Sequence, residues 1–269
     1  MDFKKNNNLL KTTLNSNGIL RISLNNPNGH NVLSDEMMSA LQNSLENAII
    51  DKNVRVIIVS AEGSSFSAGH DLKELEAGRK NTDKGESFFK EIMGKCSRLM
   101  KSIVNNPKPI IAEVAGVATA AGCQLVASCD LAYAGKSAKF ATPGVNIGLF
   151  CSTPMVALSR NISNKQSMEM LLTGELVSSE KAEKIGLINK AVDDSLLQAY
   201  TLEIALKISK KSSMTLKTGK EAFYKQIDMT LSNAYDYASN VMVENMLKID
   251  AEEGINAFIE KRNPNWQDK

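Results

Sequence analysis

Two short stretches carry the residues of this chain best suited to chemistry. Residues 65–75 read SFSAGHDLKEL and residues 120–130 read AAGCQLVASCD. The first reads as a loop, and the second follows a buried-looking apolar run, IIAEVAGVA, as the glycine-bearing start of a helix. Small residues in such places leave backbone N–H groups free to face a ligand. Either loop alone reads first as a tight turn with close packing. Together they suggest an oxyanion hole for a thioester carbonyl, a device in which loss of one donor costs roughly 10²–10³ in rate.

Side-chain chemistry is scarce by comparison. The chain has two histidines, His30 and His70, far apart in sequence. A histidine can act as a general base near neutral pH. A lone one without an orienting carboxylate reads as structural first, and Asp71 beside His70 points elsewhere in most local conformations. The four cysteines (Cys96, Cys123, Cys129, Cys151) show no CxxC spacing, so the inventory argues against a metal site. Cys123 and Cys129 read as core thiols, and reduced thiols suit a cytoplasmic protein. Glu113, inside an apolar strand, reads as a paired structural acid, and Glu74 as a solvated helical residue or a lid contact.

The elements that must hold these loops follow from apolar patterning. GILRISL (18–24) and VRVIIVSAEG (54–63) read as strands, the second continuous enough in Val and Ile to be covered on both faces. Between them NNPNGHNVL is rich in turn formers, and Ser34 caps a helix whose stripe is Met38, Leu41, Leu45 and Ile49. A charged helical stretch spans 71–81, and a second helix over 88–104 is stopped by Pro107 and Pro109. IIAEVAG, a helix from about Ala121 and the strand DLAYAG follow. Strands and helices alternating at short intervals argue for ββα or βαβ units in an α/β core. From 195 to 261 the chain reads as successive helices without strand or proline. The expected organisation is a core over 1–194 and a helical region over 195–269 whose surplus apolar faces dock on the core or on another subunit.

Composition sets the outer limits. With 269 residues the chain can bury a sizeable core. A net charge of +2 is too small to argue for nucleic acid, although local lysines can still serve a phosphorylated ligand. No run of about 18 apolar residues suggests a membrane span. The opening MDFKKNNNLLKTTLN lacks the apolar core of a secretory signal.

The combination FSAGHDLKEL, KPIIAEVAGVATAAGCQLVASCDLAYA, KFATPGVNIGL, MLLTG with SSEKAEKIGLINKAV, and GINAFIEKRNPNW resembles the crotonase superfamily, the enoyl-CoA hydratase/isomerase family, over nearly the whole chain. That resemblance implies a crotonase-like ββα superhelix core with a C-terminal all-helical trimerisation region, assembled as a homotrimer or homohexamer. It implies an acyl-CoA substrate, with coenzyme A as part of the substrate and no separate cofactor, no nucleic acid and no membrane partner.

It also implies site residues. The two oxyanion N–H groups fall on His70 and Ala121. The family's two catalytic carboxylates fall on Gln124 and Gly144, neither of which can move a proton, and Gly144 is expected to leave room for a bulkier ligand or for solvent. General acid–base catalysis is worth about 10²–10⁴ per group, so hydratase activity is expected to be weak or absent. Asn146, Cys151 and Ser152 fall near the same site as weak candidates. Asn28, Gly29 and His30 fall on the nucleotide side of the CoA. Ser67, Ala68 and Leu72, with Lys73 nearby, fall on the adenine and thioester side. Lys261 and Phe223 are expected to reach the CoA of a neighbouring subunit. The alternative expectation is a non-catalytic acyl-CoA carrier or regulator.

Overall fold

The computed structural model describes residues 9–269. The asparagine run and most of the opening stretch read above for a secretory signal lie outside these described residues. The central strands are each built on a mostly buried apolar run. β2 (Ile19–Leu24), β3 (Val56–Ala61), β5 (Ile110–Val114) and β7 (Leu131–Gly135) are the central strands of a six-stranded sheet, and successive members run parallel. β1 (Leu10–Leu14) pairs antiparallel with β2 at one edge, and β10 (Lys190–Val192) pairs parallel with β7 at the other. All of β5 is buried, as expected of a parallel strand covered on both faces.

After β3, β5 and β7 the chain makes a short excursion into a second sheet. β4 (Ser65–Ser67), β6 (Val117–Thr119) and β8 (Lys139–Ala141) lie parallel there, with β9 (Val177–Ser178) antiparallel at the edge. Each turn of chain therefore supplies one strand to each sheet and then a helix, which is a ββα spiral. Apolar patterning reveals β2, β3, β5 and β7. It does not separate β4, β6 and β8, because three residues are too few to show a period.

The helices close the spiral. α1 (Asp35–Ile50) is capped by Ser34, whose side chain accepts the Met37 N–H at 3.1 Å, and it carries Asp35 and Glu36 in its first turn. α2 (Leu72–Gly78) and α3 (Glu86–Val104) follow β4, and α4 (Ala121–Ser128) follows β6. After β8 come α5 (Ser152–Asn161), α6 (Asn164–Thr173) and α7 (Ser179–Ile185). The main core packs the inner sheet faces against α1, α3 and α4 through Phe66, Phe140, Leu41, Leu99 and Leu125. A smaller cluster of Ile58, Ile111, Tyr133 and Val192 lies under Leu197 and Ala205 of α8 (Leu197–Ser209).

The remaining chain is helical: α9 (Ser213–Gln226), α10 (Leu231–Met246) and α11 (Ile249–Ile259). The mixed α/β core with a helical C-terminal region is thus as the sequence implies. The tail leaves Leu231, Leu247, Phe258 and Ile259 more than two-thirds exposed. Among the described residues no helix is long and apolar enough to cross a membrane.

Candidate functional site

β4, β6 and β8 run side by side in one direction, with Ser67 beside Ala118 and Thr119 beside Ala141. Their carboxyl ends open on one side of the small sheet, so the segments leaving them at 68–71, 120–124 and 142–151 are neighbours. The first two touch. Gly69 sits at φ +90°, and a methyl group built on it would lie 2.8 Å from Ala120 Cβ and 3.2 Å from the Ala121 nitrogen. A side chain on Gly122 would overlap the Ser67 carbonyl oxygen and come within 2.8 Å of Ser67 Cβ. Only glycine permits both approaches.

Ala120 turns the chain from β6 into α4 at φ 50°, ψ −120°, a region that side-chain-bearing residues avoid. Its N–H donates to the Ala141 carbonyl at 2.9 Å, and its carbonyl accepts the Gln124 N–H at 3.0 Å. As the residue preceding α4 it offers no side-chain cap, so the helix's first amides are not covered in the usual way. His70 stands opposite, bridged in parallel to Leu33, whose N–H donates to the Gly69 carbonyl at 2.7 Å. Both imidazole nitrogens are buried and without a hydrogen-bond partner among the described residues. Burial holds the ring's pKa below the ordinary histidine value. The nearby Leu33 backbone opposes that shift, although neither ring nitrogen reaches hydrogen-bond geometry. The ring is therefore neutral at neutral pH.

Gln124 is buried on α4, where its Oε1 accepts from the Cys96 thiol of α3 at 3.9 Å. Burial pushes that thiol up to about 11. Gly144 departs from expectation. The space beside it is not open, because a Cβ there would lie 2.9 Å from Cys151 Sγ and 2.9 Å from the Leu149 carbonyl oxygen. The Gly144 N–H donates to Cys151 Sγ at 3.3 Å, and burial raises the Cys151 thiol's pKa against that bond. Asn146 and Ser152 are exposed, the Ser152 hydroxyl donating to the Phe150 carbonyl at 3.3 Å.

The rim is stitched by its own loop. Asn28 and Gly29 occupy a short 3-10 turn, and His30 follows at φ 52° with its Nδ1 3.2 Å from Ser65 Oγ. The His30 carbonyl accepts the Ala68 N–H at 3.0 Å. Ala68, Leu72 and Lys73 are exposed. Ser67 is wholly buried and its hydroxyl accepts the Gly69 N–H at 3.3 Å, so it is turned within the loop. Glu74 accepts the Asp35 N–H at 2.9 Å and ties α2 to the start of α1. Glu113 is the paired acid expected, with both oxygens on Arg21, one at 3.0 Å. Phe223 on α9 and Lys261 just past α11 are exposed and stand on the helical tail.

Sequence reasoning missed Asn31. Fully buried at φ 50°, it donates from Nδ2 to the Glu62 and Ser65 carbonyls at 2.9 and 2.8 Å and accepts the Asn26 N–H at 2.7 Å. It pins the rim loop to the loop that carries His70. Asparagine tolerates left-handed backbone and bonds local main chain, so the turn-rich NNPNGHN signals such a pin, but not which asparagine serves.

Residues 15–269 match the family described as enoyl-CoA hydratase/isomerase. Enoyl-CoA hydratase domain-containing protein 3, mitochondrial, from Xenopus laevis is 49% identical over 93% of this chain and 83% of its own length. The human protein of that name is 47% identical over 93% of this chain and 80% of its own. The crystal structure of the human protein superposes with a TM-score of 0.91 at 46% identity, covering 96% of this chain and all of that one. An enoyl-CoA hydratase from Mycobacterium smegmatis superposes with a TM-score of 0.92 at 42% identity, covering 96% and 98%. The frog, mouse, rat and human relatives are all described as mitochondrial, which corrects the cytoplasmic placement expected from the sequence. Free thiols suit any reducing compartment and cannot distinguish one from another.

Proposed function

The chain belongs to the enoyl-CoA hydratase/isomerase family, and we propose that it binds acyl- or enoyl-CoA thioesters and polarises their carbonyl with the amides of His70 and Ala121. The observation that carries this reading is the contact of Gly69 with Ala120 and the Ala121 nitrogen, which sets the two amide-bearing turns against each other. The first turn of α4 adds the positive end of a helix dipole to the same place. The CoA arm then lies along the rim of Asn28, Gly29, His30, Ala68, Leu72 and Lys73. The names of the relatives favour the mitochondrion as its place of work. The exposed apolar tail favours a trimer or hexamer, in which Phe223 and Lys261 serve a neighbour's ligand.

Hydration of an enoyl thioester requires one proton taken from water and one given to the α-carbon. Gln124 is neutral at every accessible pH and can only orient a water or an acyl group. The Gly144 position is filled by a thiol and a carbonyl rather than an acid. Turnover by a paired-carboxylate route is therefore weak or absent. The same two positions favour the second reading, a carrier or regulator that holds acyl-CoA without transforming it.

Purified protein with crotonyl-CoA tests both. Calorimetric binding of the thioester with little loss of its conjugated absorbance is the expected result. Turnover at the rate of an ordinary hydratase refutes the claim that the acid–base pair is missing. Failure to bind any CoA ester refutes the thioester reading.

A further inference from the structure

We propose that Ala120 is a positioning residue, whose methyl group seated against Gly69 fixes the turn that aims the Ala121 amide. The inference rests on the thioester-carbonyl reading above. A backbone held in a sparsely populated region persists only where its surroundings over-determine it. Three contacts do so here. The Ala120 N–H is bound to the Ala141 carbonyl at the end of β8, and its carbonyl to the first turn of α4. Its methyl abuts Gly69, which lacks a side chain at φ +90° and so lets the methyl in. One residue thereby gauges the separation between the turn carrying His70 and the turn carrying Ala121.

The methyl packs against the main core, but the fold carries it at a cost in backbone strain. At φ 50°, ψ −120° a glycine would fit with less strain. What alanine supplies is restriction: it fills the gap between the two turns and removes backbone freedom beside the amide. Stability and alignment therefore respond in opposite directions when the methyl is removed, which a purely structural role does not produce.

The test is difference Raman spectroscopy of an enoyl-CoA carrying a ¹³C-labelled thioester carbonyl, bound to the full chain, with melting temperatures measured in parallel. The wild-type carbonyl stretch is expected below its frequency in water. Ala120→Gly is expected to melt at the same or a higher temperature while losing about half or more of that shift, the mark of a misaligned donor. Ala120→Ser keeps the β-carbon and is expected to keep the shift. An Ala120→Gly protein with the full wild-type shift overturns the inference and leaves the thioester reading standing. So does a lost shift accompanied by a lower melting temperature, which marks a structural role only. A wild-type carbonyl without any shift overturns the thioester reading, and the inference with it.

Discussion

The two ends of α4 are finished in opposite ways. At the carboxyl end side chains answer the backbone and one another. The Ser128 hydroxyl donates to the Gln124 carbonyl at 2.8 Å, and the Cys129 thiol to the Leu125 carbonyl at 3.3 Å. Asp130 then accepts the Ile110 N–H at 2.7 Å, the Lys220 ammonium at 2.7 Å and the Tyr224 hydroxyl at 3.0 Å. Lys220 donates further to the Ile103 and Lys108 carbonyls at 3.1 and 3.2 Å. At the amino end the helix begins without a side-chain cap, from a strained alanine, beside a histidine whose ring nitrogens have no hydrogen-bond partner among the described residues. One end holds the tail helix α9 to the core. The other lacks a side-chain cap, as the proposed carbonyl site requires. A helix eight residues long thus separates the part of the molecule that stabilises from the part that can act.

The largest effect expected from this contrast lies at the satisfied end. Lys220→Met leaves the Asp130 carboxylate buried without its cation, and breaking such a pair costs about 3–5 kcal/mol. Burial already raises the Asp130 pKa, with Lys220 opposing. Without the lysine it rises further, so the deficit should shrink as pH falls toward the ordinary carboxylate range and the acid goes neutral. Urea unfolding at several pH values measures this. Wild-type stability in the variant would break the comparison, because it would show that the network holds nothing.

How much of this was legible beforehand follows the same division. The spiral of strands could be read because Val- and Ile-rich runs such as VIIVSA need cover on both faces. The two turns could be read because their small residues stand in sequence order at 67–69 and 120–122. The Asp130–Lys220 pair could not, since its partners are ninety residues apart and nothing local marks a lysine of α9 as buried. The tight packing at Gly144 was also hidden, because a glycine in sequence reads as space, and only the fold shows that Cys151 and Leu149 have taken it. Asn31 was concealed among other turn-forming asparagines.

A smaller effect is expected where the two turns meet. Gly122→Ala would drive a methyl into the Ser67 carbonyl, a backbone atom that cannot swing aside as a side chain could. Overpacking of this kind costs about 1–3 kcal/mol, and here it also pushes the His70 turn away from α4. The variant should therefore lose acyl-CoA affinity as well as stability, whereas Lys220→Met, acting at the far end, should lose stability first. Calorimetric titration of both variants below their melting temperatures separates the two outcomes. Equal losses of affinity would mean that α4 transmits disturbance along its whole length and that its ends are not independent.

The smallest effect is the sharpest probe of the unsatisfied end. Burial lowers the His70 pKa from its ordinary value of 6.5, so the folded protein holds this ring neutral where the unfolded chain begins to protonate it. Its contribution is therefore fully present above about pH 6.5 and is lost as pH falls through the depressed folded value. Carboxylates whose pKa the fold lowers, such as Glu253, add their own losses only at lower pH, and Asp130, whose pKa is raised, is common to both proteins. Unfolding free energies measured between about pH 7.5 and 5.5 should slope downward in the wild type and lose that part of the slope in His70→Gln, whose side chain does not titrate. A histidine paired in the native state would raise its pKa and give the reverse slope. If the two proteins followed the same curve, the ring of His70 would not be buried and unpartnered. The contrast between the two ends of α4 would then rest on the missing cap and the strained alanine alone.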